Sequence, residues 1–368
     1  MRVLHYVTKM DRAGQETFIM NIFREIDRKK IQFDFLCTEN SKGDYDNEIN
    51  QLGGKIYYIN LNQRNGKLRH IDNYIIQVKS LKSYVKTHEI FHIHTHHAFD
   101  AYISAKAAVK VGFKKVIVHS HSDYAEYHIT LNRIFRHMLS KLPIIECACS
   151  KAAGEWLFSN KKYLIIKNGI KTEDFKYNKK VRSDYRKLLG IENKYVIGHV
   201  GRFEQMKNHE LIVKVFAEFI NFNPDSLLVF VGDGSLMNQI KQQVEKFGIT
   251  DKVLFLGVRN DVNNIYQAMD LFIFPSIFEG LGIVAIEAQC AGLVCLLSDN
   301  IPNEIEVSNN IIRCSLNEPL SRWCEKIQQC FNTIKLKERV SGRRKVVEAG
   351  YDIIDTCEKI SDIYLRWE

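Results

Sequence analysis

ProSerIlePheGluGlyLeuGlyIleValAlaIleGlu, residues 275–287, follows directly on the apolar run LeuPheIlePhe at 271–274, and its reading decides the fold. The apolar run reads as a buried strand that ends at Pro275. Helical spacing resumes near Gly282, so the segment is strand, loop, helix. This places Glu279 on the entering loop and Glu287 at least one turn inside the helix. The first N–H groups of such a helix have no intrahelical acceptor and favour an anion such as a diphosphate. Gly280 and Gly282 let the backbone approach that anion closely, and the two carboxylates can accept hydrogen bonds from sugar and ribose hydroxyls.

The same grammar extends in both directions. TyrValIleGlyHisValGly from 195, LeuLeuValPheValGlyAspGly from 227, ValLeuPheLeuGly from 253 and ValCysLeuLeuSer from 294 read as further strands of one α/β sheet. GlyArgPheGluGlnMetLysAsnHisGlu from 201 sets Arg202 and Lys207 at a strand end and helix start, where two cations neutralise a departing diphosphate. ValGlyAspGly at 231–234 reads mainly as a tight turn. Gly257 to Asp261 ends another strand and could rim a base pocket. In the first half, strands are read at Arg2, Phe33, Lys55, Ile90, Lys115 and around 145, with a helix from Phe18. Two doubly wound Rossmann-like domains result: 1–172, onto which a C-terminal helix of about 352–368 packs back, and 173–351. A polar, Lys-rich linker is expected between about 168 and 193. The ligand cleft is expected between the domains, at strand carboxyl ends.

The spacing of Glu279 and Glu287, with Arg202 and Lys207, resembles the retaining nucleotide-sugar glycosyltransferases of family 4, which have the GT-B fold. The resemblance implies that Glu287 binds ribose hydroxyls, Glu279 the donor sugar, and Arg202 and Lys207 the diphosphate. It further implies that the amides of Ile283 and Val284, next to Gly282, hold phosphate oxygens, and that the backbone at Val258 and Arg259 meets the base. AspArgAlaGlyGlnGluThr from 11 resembles the family's GlyGlyXaaGlu loop, retaining Gly14 and Glu16 with Ala13 in place of the first Gly. His121 matches the histidine that touches the donor sugar. His94 and His96 are expected on the acceptor side, and His92 and His119 in a hydrogen-bonded core. Within the family the resemblance runs to bacterial capsular and exopolysaccharide enzymes, whose acceptors are often lipid-diphosphate oligosaccharides.

Other chemistries leave weaker traces. HisIleHisThrHisHis from 92 is close to the HxHxDH pattern of metallo-hydrolases, but His96 stands at the Asp position and the second half would go unexplained. AspTyrAsp at 44–46 has the letters of a DxD metal motif in a helix-capping context, so no required metal or cofactor is expected. The alternative readings on the same fold are a non-hydrolysing UDP-GlcNAc 2-epimerase and a sugar-binding protein without turnover. The nine cysteines form no CxxC pair and suit a reducing cytoplasm. Cys147 and Cys149 read as core. The first residues are read as a buried strand and not as a signal peptide, and no membrane-spanning run is expected. Residues 1–180 hold 30 Lys and Arg against 18 Asp and Glu, and the rest 22 against 25. That basic first half suits an anionic partner, a phosphorylated lipid-linked acceptor or the inner membrane surface, against which the amphipathic segment 129–142 is one candidate contact. The basic residues are too scattered for nucleic acid.

Overall fold

The computed structural model describes residues 1–61, 69–95, 97–121, 129–159, 162–333 and 338–366. The chain divides into two compact units, Met1–Ile170 with Ile353–Glu368, and Lys171–Asp352. The sheet of the first unit is built from β1 (Arg2–Val7), β2 (Gln32–Cys37), β3 (Ile56–Tyr58), β4 (Ile90–Thr95), β5 (Lys115–Ser120), β6 (Ile145–Ala148) and β7 (Leu164–Ile165). That of the second contains β8 (Tyr195–Val200), β9 (Ser226–Val231), β10 (Val253–Phe255), β11 (Leu271–Phe274), β12 (Val294–Ser298) and β13 (Ile311–Cys314). The strand orders are β3-β2-β1-β4-β5-β6-β7 and β10-β9-β8-β11-β12-β13, and every strand pair is parallel. Strand order therefore reverses between β1 and β4 and between β8 and β11. Loops part to either side of the sheet at such a point and leave a crevice at the strand carboxyl ends.

The expected linker is part of the second unit. Helices Thr172–Phe175 and Lys179–Leu188 occupy it. The Asn178 side chain caps the second helix, and its amide donates to Gln267 Oε1 at 3.1 Å. Arg182 and Arg186 reach Asp270 at 2.5 and 3.1 Å. With Arg339 they also donate to the carbonyls at the end of helix Val262–Ala268. Two arginines of this stretch thus satisfy another helix's last carbonyls, while Lys171, Lys176, Lys179 and Lys180, which gave it its linker character, are exposed. Nor does Asp44 cap a helix: the cap position is Tyr45, and the Asp44 carboxylate takes the Arg12 amide at 3.1 Å. All nine cysteines are free and buried. Among the described residues no helix is long and apolar enough to cross a membrane.

The strand ends of the second sheet are tied side to side. The Gly201 amide donates to Val231 O at 3.0 Å, the Phe203 amide to Asp233 O at 2.9 Å and the Gly232 amide to Gly257 O at 2.8 Å. Gly232 has φ +133°, and a β-carbon there would lie 2.1 Å from the Gly201 carbonyl oxygen. The ValGlyAspGly turn thus needs its first glycine because the loop carrying Arg202 lies against it.

Core histidines set a second constraint. Burial drives His92, His94 and His119 well below their ordinary range, His5 to about 3, His199 to about 4 and His209 to about 2. Unfolded histidine takes up a proton near 6.5, which these folded groups refuse, so their contribution is intact above about 6.5 and is lost as pH falls below it. Chemical denaturation should show stability falling between pH 7 and 5.5, by about 1.4 kcal/mol per pH unit for each histidine kept neutral. Glu287, raised to about 7 by burial, acts in the opposite sense between its unfolded and folded values. A flat profile would show that the histidines are not held neutral. Gly232→Ala should cost on the order of 2 kcal/mol or more in the same assay.

Candidate active site

The second unit brings the turn after β8 and the loop after β11 together. Lys207 closes a short 3-10 turn, Gln205–Lys207. Asn208, the one described non-glycine residue with positive φ, at 57°, reverses the chain into helix His209–Phe219. Its side-chain amide donates to Pro275 O at 3.2 Å, and the Ile277 amide donates to Met206 O at 2.8 Å. Two segments some seventy residues apart are stapled by these bonds. Across the staple, Lys207 Nζ meets Glu279 Oε1 at 2.5 Å, with the lysine partly exposed and the glutamate buried. The ammonium also stands 5.5 Å from the centre of the Phe274 ring. Gly282, at φ +79°, leads into helix Ile283–Cys290, and a β-carbon there would touch the Phe274 ring at 3.0 Å and Glu279 Cγ at 3.7 Å. Gly282 and Lys207 therefore both border one phenylalanine, with Glu279 beside each of them. The Ile283 and Val284 amides lie in the first turn, where no intrahelical acceptor exists.

Glu287 lies one turn further in and is half-buried, its Oε2 accepting from Tyr266 Oη at 3.1 Å. Burial lifts its carboxyl to about 7, while the Tyr266 hydrogen bond pulls the other way. Arg202 is exposed on the loop after β8, and its main chain lies against the Gly232 turn. Val258 is exposed beyond β10, and the Arg259 side chain is turned onto Asp261 at 2.6 and 2.8 Å. No local motif pointed to Tyr266, Phe274 or Asn208: a tyrosine in a short helix and a phenylalanine in a strand both read as core.

In the first unit Gly14 opens helix Gly14–Glu25, and Glu16 is buried with Gln15 donating to its Oε1 at 3.0 Å. A β-carbon at Gly14 would meet nothing within 4 Å, so the fold itself does not demand glycine there. The loop before it is pinned by Lys9–Asp11 at 3.1 Å and by Asp44. Phe18 on this helix packs against His119 and His121, with ring centres 5.2 and 5.4 Å apart.

His121 is buried just past β5, and its Nε2 is 2.8 Å from His94 Nδ1. His94, expected on the acceptor side, is itself buried with both ring nitrogens engaged, the second by His5 Nδ1 at 2.9 Å. The alternation of β4 turns it to the same face as His92, inside the core. His96 lies outside the described residues. His92 has its hydrogen bond, to Tyr364 Oη at 2.7 Å. His119 is buried but without a hydrogen-bond partner among the described residues, stacked on His92 instead. His5, His92 and His94, and likewise His94, His119 and His121, bring ring nitrogens within 4.8 Å of one another. The 2.8–2.9 Å contacts are shorter than the roughly 3.4 Å edge of a tetrahedron with zinc–nitrogen bonds of 2.0–2.1 Å, so these nitrogens share protons in this geometry.

Comparison with known proteins gives the family of the chain. Residues 12–174 match the model of Glycosyltransferase Family 4 and residues 181–314 that of Glycosyl transferases group 1. A protein named as the glycosyltransferase EpsF of Bacillus subtilis (strain 168) is 30% identical over 99% of this chain and 96% of its own. The UDP-Gal:alpha-D-GlcNAc-diphosphoundecaprenol alpha-1,3-galactosyltransferase of Escherichia coli is 26% identical over 78% of this chain and 80% of its own. Among solved structures, Anabaena Alr3699/HepE in complex with UDP superposes with a TM-score of 0.80 at 17% identity, over 99% of each chain. Paired parallel sheets of this order, two matching family models and a full-length relative at 30% identity lead to one conclusion: the chain is a glycosyltransferase of family 4, with the GT-B fold.

Proposed function

We propose that the chain transfers a sugar from a UDP-sugar to an acceptor hydroxyl with retention of anomeric configuration and without a required metal. The observation that carries this reading is the Lys207–Glu279 pair against Phe274, beside a helix start whose amides lack intrahelical acceptors. In the proposed complex Lys207, Arg202 and the amides of Ile283 and Val284 hold the diphosphate, with Gly282 admitting it close to the backbone. Glu287 takes the ribose hydroxyls, Glu279 the donor sugar, and the main chain at Val258 and Arg259 the base. The Gly14–Glu16 loop lies beside the phosphates, and His121 contacts the donor sugar. The acceptor oxygen bonds to the anomeric carbon on the face from which the diphosphate leaves. The bond from that carbon to the phosphate oxygen breaks, and the acceptor's proton passes to the leaving diphosphate. Fixed positive charge stabilises that group without a metal.

The proposed acceptor is a lipid-diphosphate oligosaccharide, as the name of the Escherichia coli relative states for that protein. The setting would be capsular or exopolysaccharide assembly at the cytoplasmic face of the membrane. The helix Ile129–Leu139 supports peripheral contact: Leu131 and Ile134 are 46% and 53% exposed, alongside Arg133.

Lys207→Ala should lower kcat/KM for the UDP-sugar by about 10²-fold or more, mostly in kcat. Unchanged turnover would remove Lys207 from the site. Glu287→Gln should weaken donor binding about 10- to 100-fold, the range for a hydrogen bond to a charged group. Donor affinity of the parent enzyme should fall as pH drops through about 7 and the Glu287 carboxyl protonates; Glu287→Gln should abolish that dependence. Transfer should persist in excess EDTA, whereas restoration of activity only by a divalent cation would overturn the metal-free reading. Product conversion without acceptor would indicate epimerisation instead.

A further inference from the structure

Tyr266 is fully buried in helix Val262–Ala268, and its hydroxyl lies 3.1 Å from two oxygens of helix Ile283–Cys290, the Val284 carbonyl and Glu287 Oε2. A phenol has one proton to give, whereas a carbonyl only accepts and so does a carboxylate. Burial, and Glu287 beside it, push the Tyr266 hydroxyl well above its ordinary range, so that proton stays in place at neutral pH. A hydrogen bond to a charged acceptor is roughly twice as strong as one to a neutral acceptor. With Glu287 ionised, the proton is therefore drawn to the carboxylate. With Glu287 protonated, the carboxyl donates to Tyr266 Oη and the phenol turns to Val284 O. The hydroxyl serves both states and favours the charged one.

The frame around this bond is fixed from behind. Arg339, 4% exposed, donates from Nη2 to Tyr266 O at 3.2 Å, from Nη1 to Met269 O at 3.0 Å and from Nε to Ala291 O at 3.2 Å. One guanidinium thus grips the C-terminal ends of both helices. Gly292, at φ +72°, makes room for it, since a β-carbon there would lie 2.2 Å from the Arg339 carbonyl oxygen. The clamp sets the separation of the helices, so Tyr266 and Glu287 face each other before a ligand arrives. The charged groups on the other elements around helix Ile283–Cys290 are Glu173 and Arg343, which pair at 2.9 Å, Asp352, Glu304, and the Lys207–Glu279 pair beyond Gly282. The Glu287 carboxyl answers instead to burial, which lifts it, and to Tyr266, which lowers it.

We infer that Tyr266 is a positioning residue for donor binding, its hydroxyl proton committed to the Glu287 carboxylate and holding that group as an acceptor. The donor role rests on the reading that Glu287 takes the ribose hydroxyls. The hold of Tyr266 on Glu287 does not, and the two are tested separately.

The first measurement follows the Glu287 carboxyl carbon by 13C NMR in protein labelled with 13Cδ-glutamate, the signal assigned by its loss in Glu287→Gln. In the parent it should titrate at about 7. Tyr266→Phe, which removes only the hydroxyl, should raise that midpoint by about half a pH unit or more. Replacing tyrosine throughout by 3-fluorotyrosine, whose hydroxyl is the stronger donor, should lower it, and decides the matter should Tyr266→Phe fail to fold. A midpoint that stays in place or moves the other way overturns the inference. The second measurement is UDP affinity by calorimetry from pH 6 to 8.5, the ligand's own phosphate titration being common to both proteins. Tyr266→Phe should bind UDP about two- to threefold more weakly at pH 7 and converge on the parent near pH 8.5, where both carboxyls are ionised. An equal loss at every pH would reduce the hydroxyl to packing and also overturn the inference. A midpoint that moves as stated with UDP affinity indifferent to it would keep the hold of Tyr266 on Glu287 and overturn the reading of Glu287 as the ribose acceptor.

Discussion

The candidate site of the second unit depends on one ion pair and the staple around it. Lys207 and Glu279 lie some seventy residues apart and meet at 2.5 Å only because the turn carrying the lysine is bonded, through Asn208 and Met206, to the loop carrying the glutamate. An exposed lysine–carboxylate contact contributes little and costs side-chain entropy. Here the glutamate is buried and the lysine lies against an aromatic face, so both are restrained before a ligand arrives. A cation already oriented costs less to recruit to a developing negative charge than one that must be drawn from solvent.

Backbone packing supports the pair from below. The loops after β8, β9 and β10 bond laterally through Gly201, Phe203, Gly232 and Gly257, so the segment bearing Arg202 and Lys207 is held as one of a row. Gly232 and Gly282 sit at positive φ with neighbours too close for a side chain, against the Gly201 carbonyl in one case and the Phe274 ring in the other. The strand order reverses between β8 and β11, the two strands whose following loops carry Lys207 and Glu279. The proposed site thus falls where a doubly wound sheet leaves room for a ligand.

Much of this was legible in the residues themselves. Period and bounding glycines located the longer strands, and the loop-then-helix grammar of 275–287 put Glu279 and Glu287 on the elements they occupy. What escaped detection depended on contacts between distant segments. The basic stretch near 180 looked like linker because its partners, Asp270 and the carbonyls of a helix some eighty residues away, are invisible locally. The edge strands β7 and β13 are too short to show a period. His94 looked like a residue facing substrate because alternation along β4 does not say which face is buried; only the neighbouring strands show that its nitrogens are taken by His5 and His121. Tyr266 carries no motif at all, yet its hydroxyl orients Glu287.

The measurement that bears most directly on the central claim is a crystal structure of the protein with an intact UDP-sugar bound. The diphosphate should lie against Lys207 and the Ile283 and Val284 amides, with the ribose hydroxyls on Glu287 and the Lys207 ammonium shared between phosphate and Glu279. A nucleotide bound away from Phe274, with Lys207 and Glu279 still paired only to each other, would contradict the account.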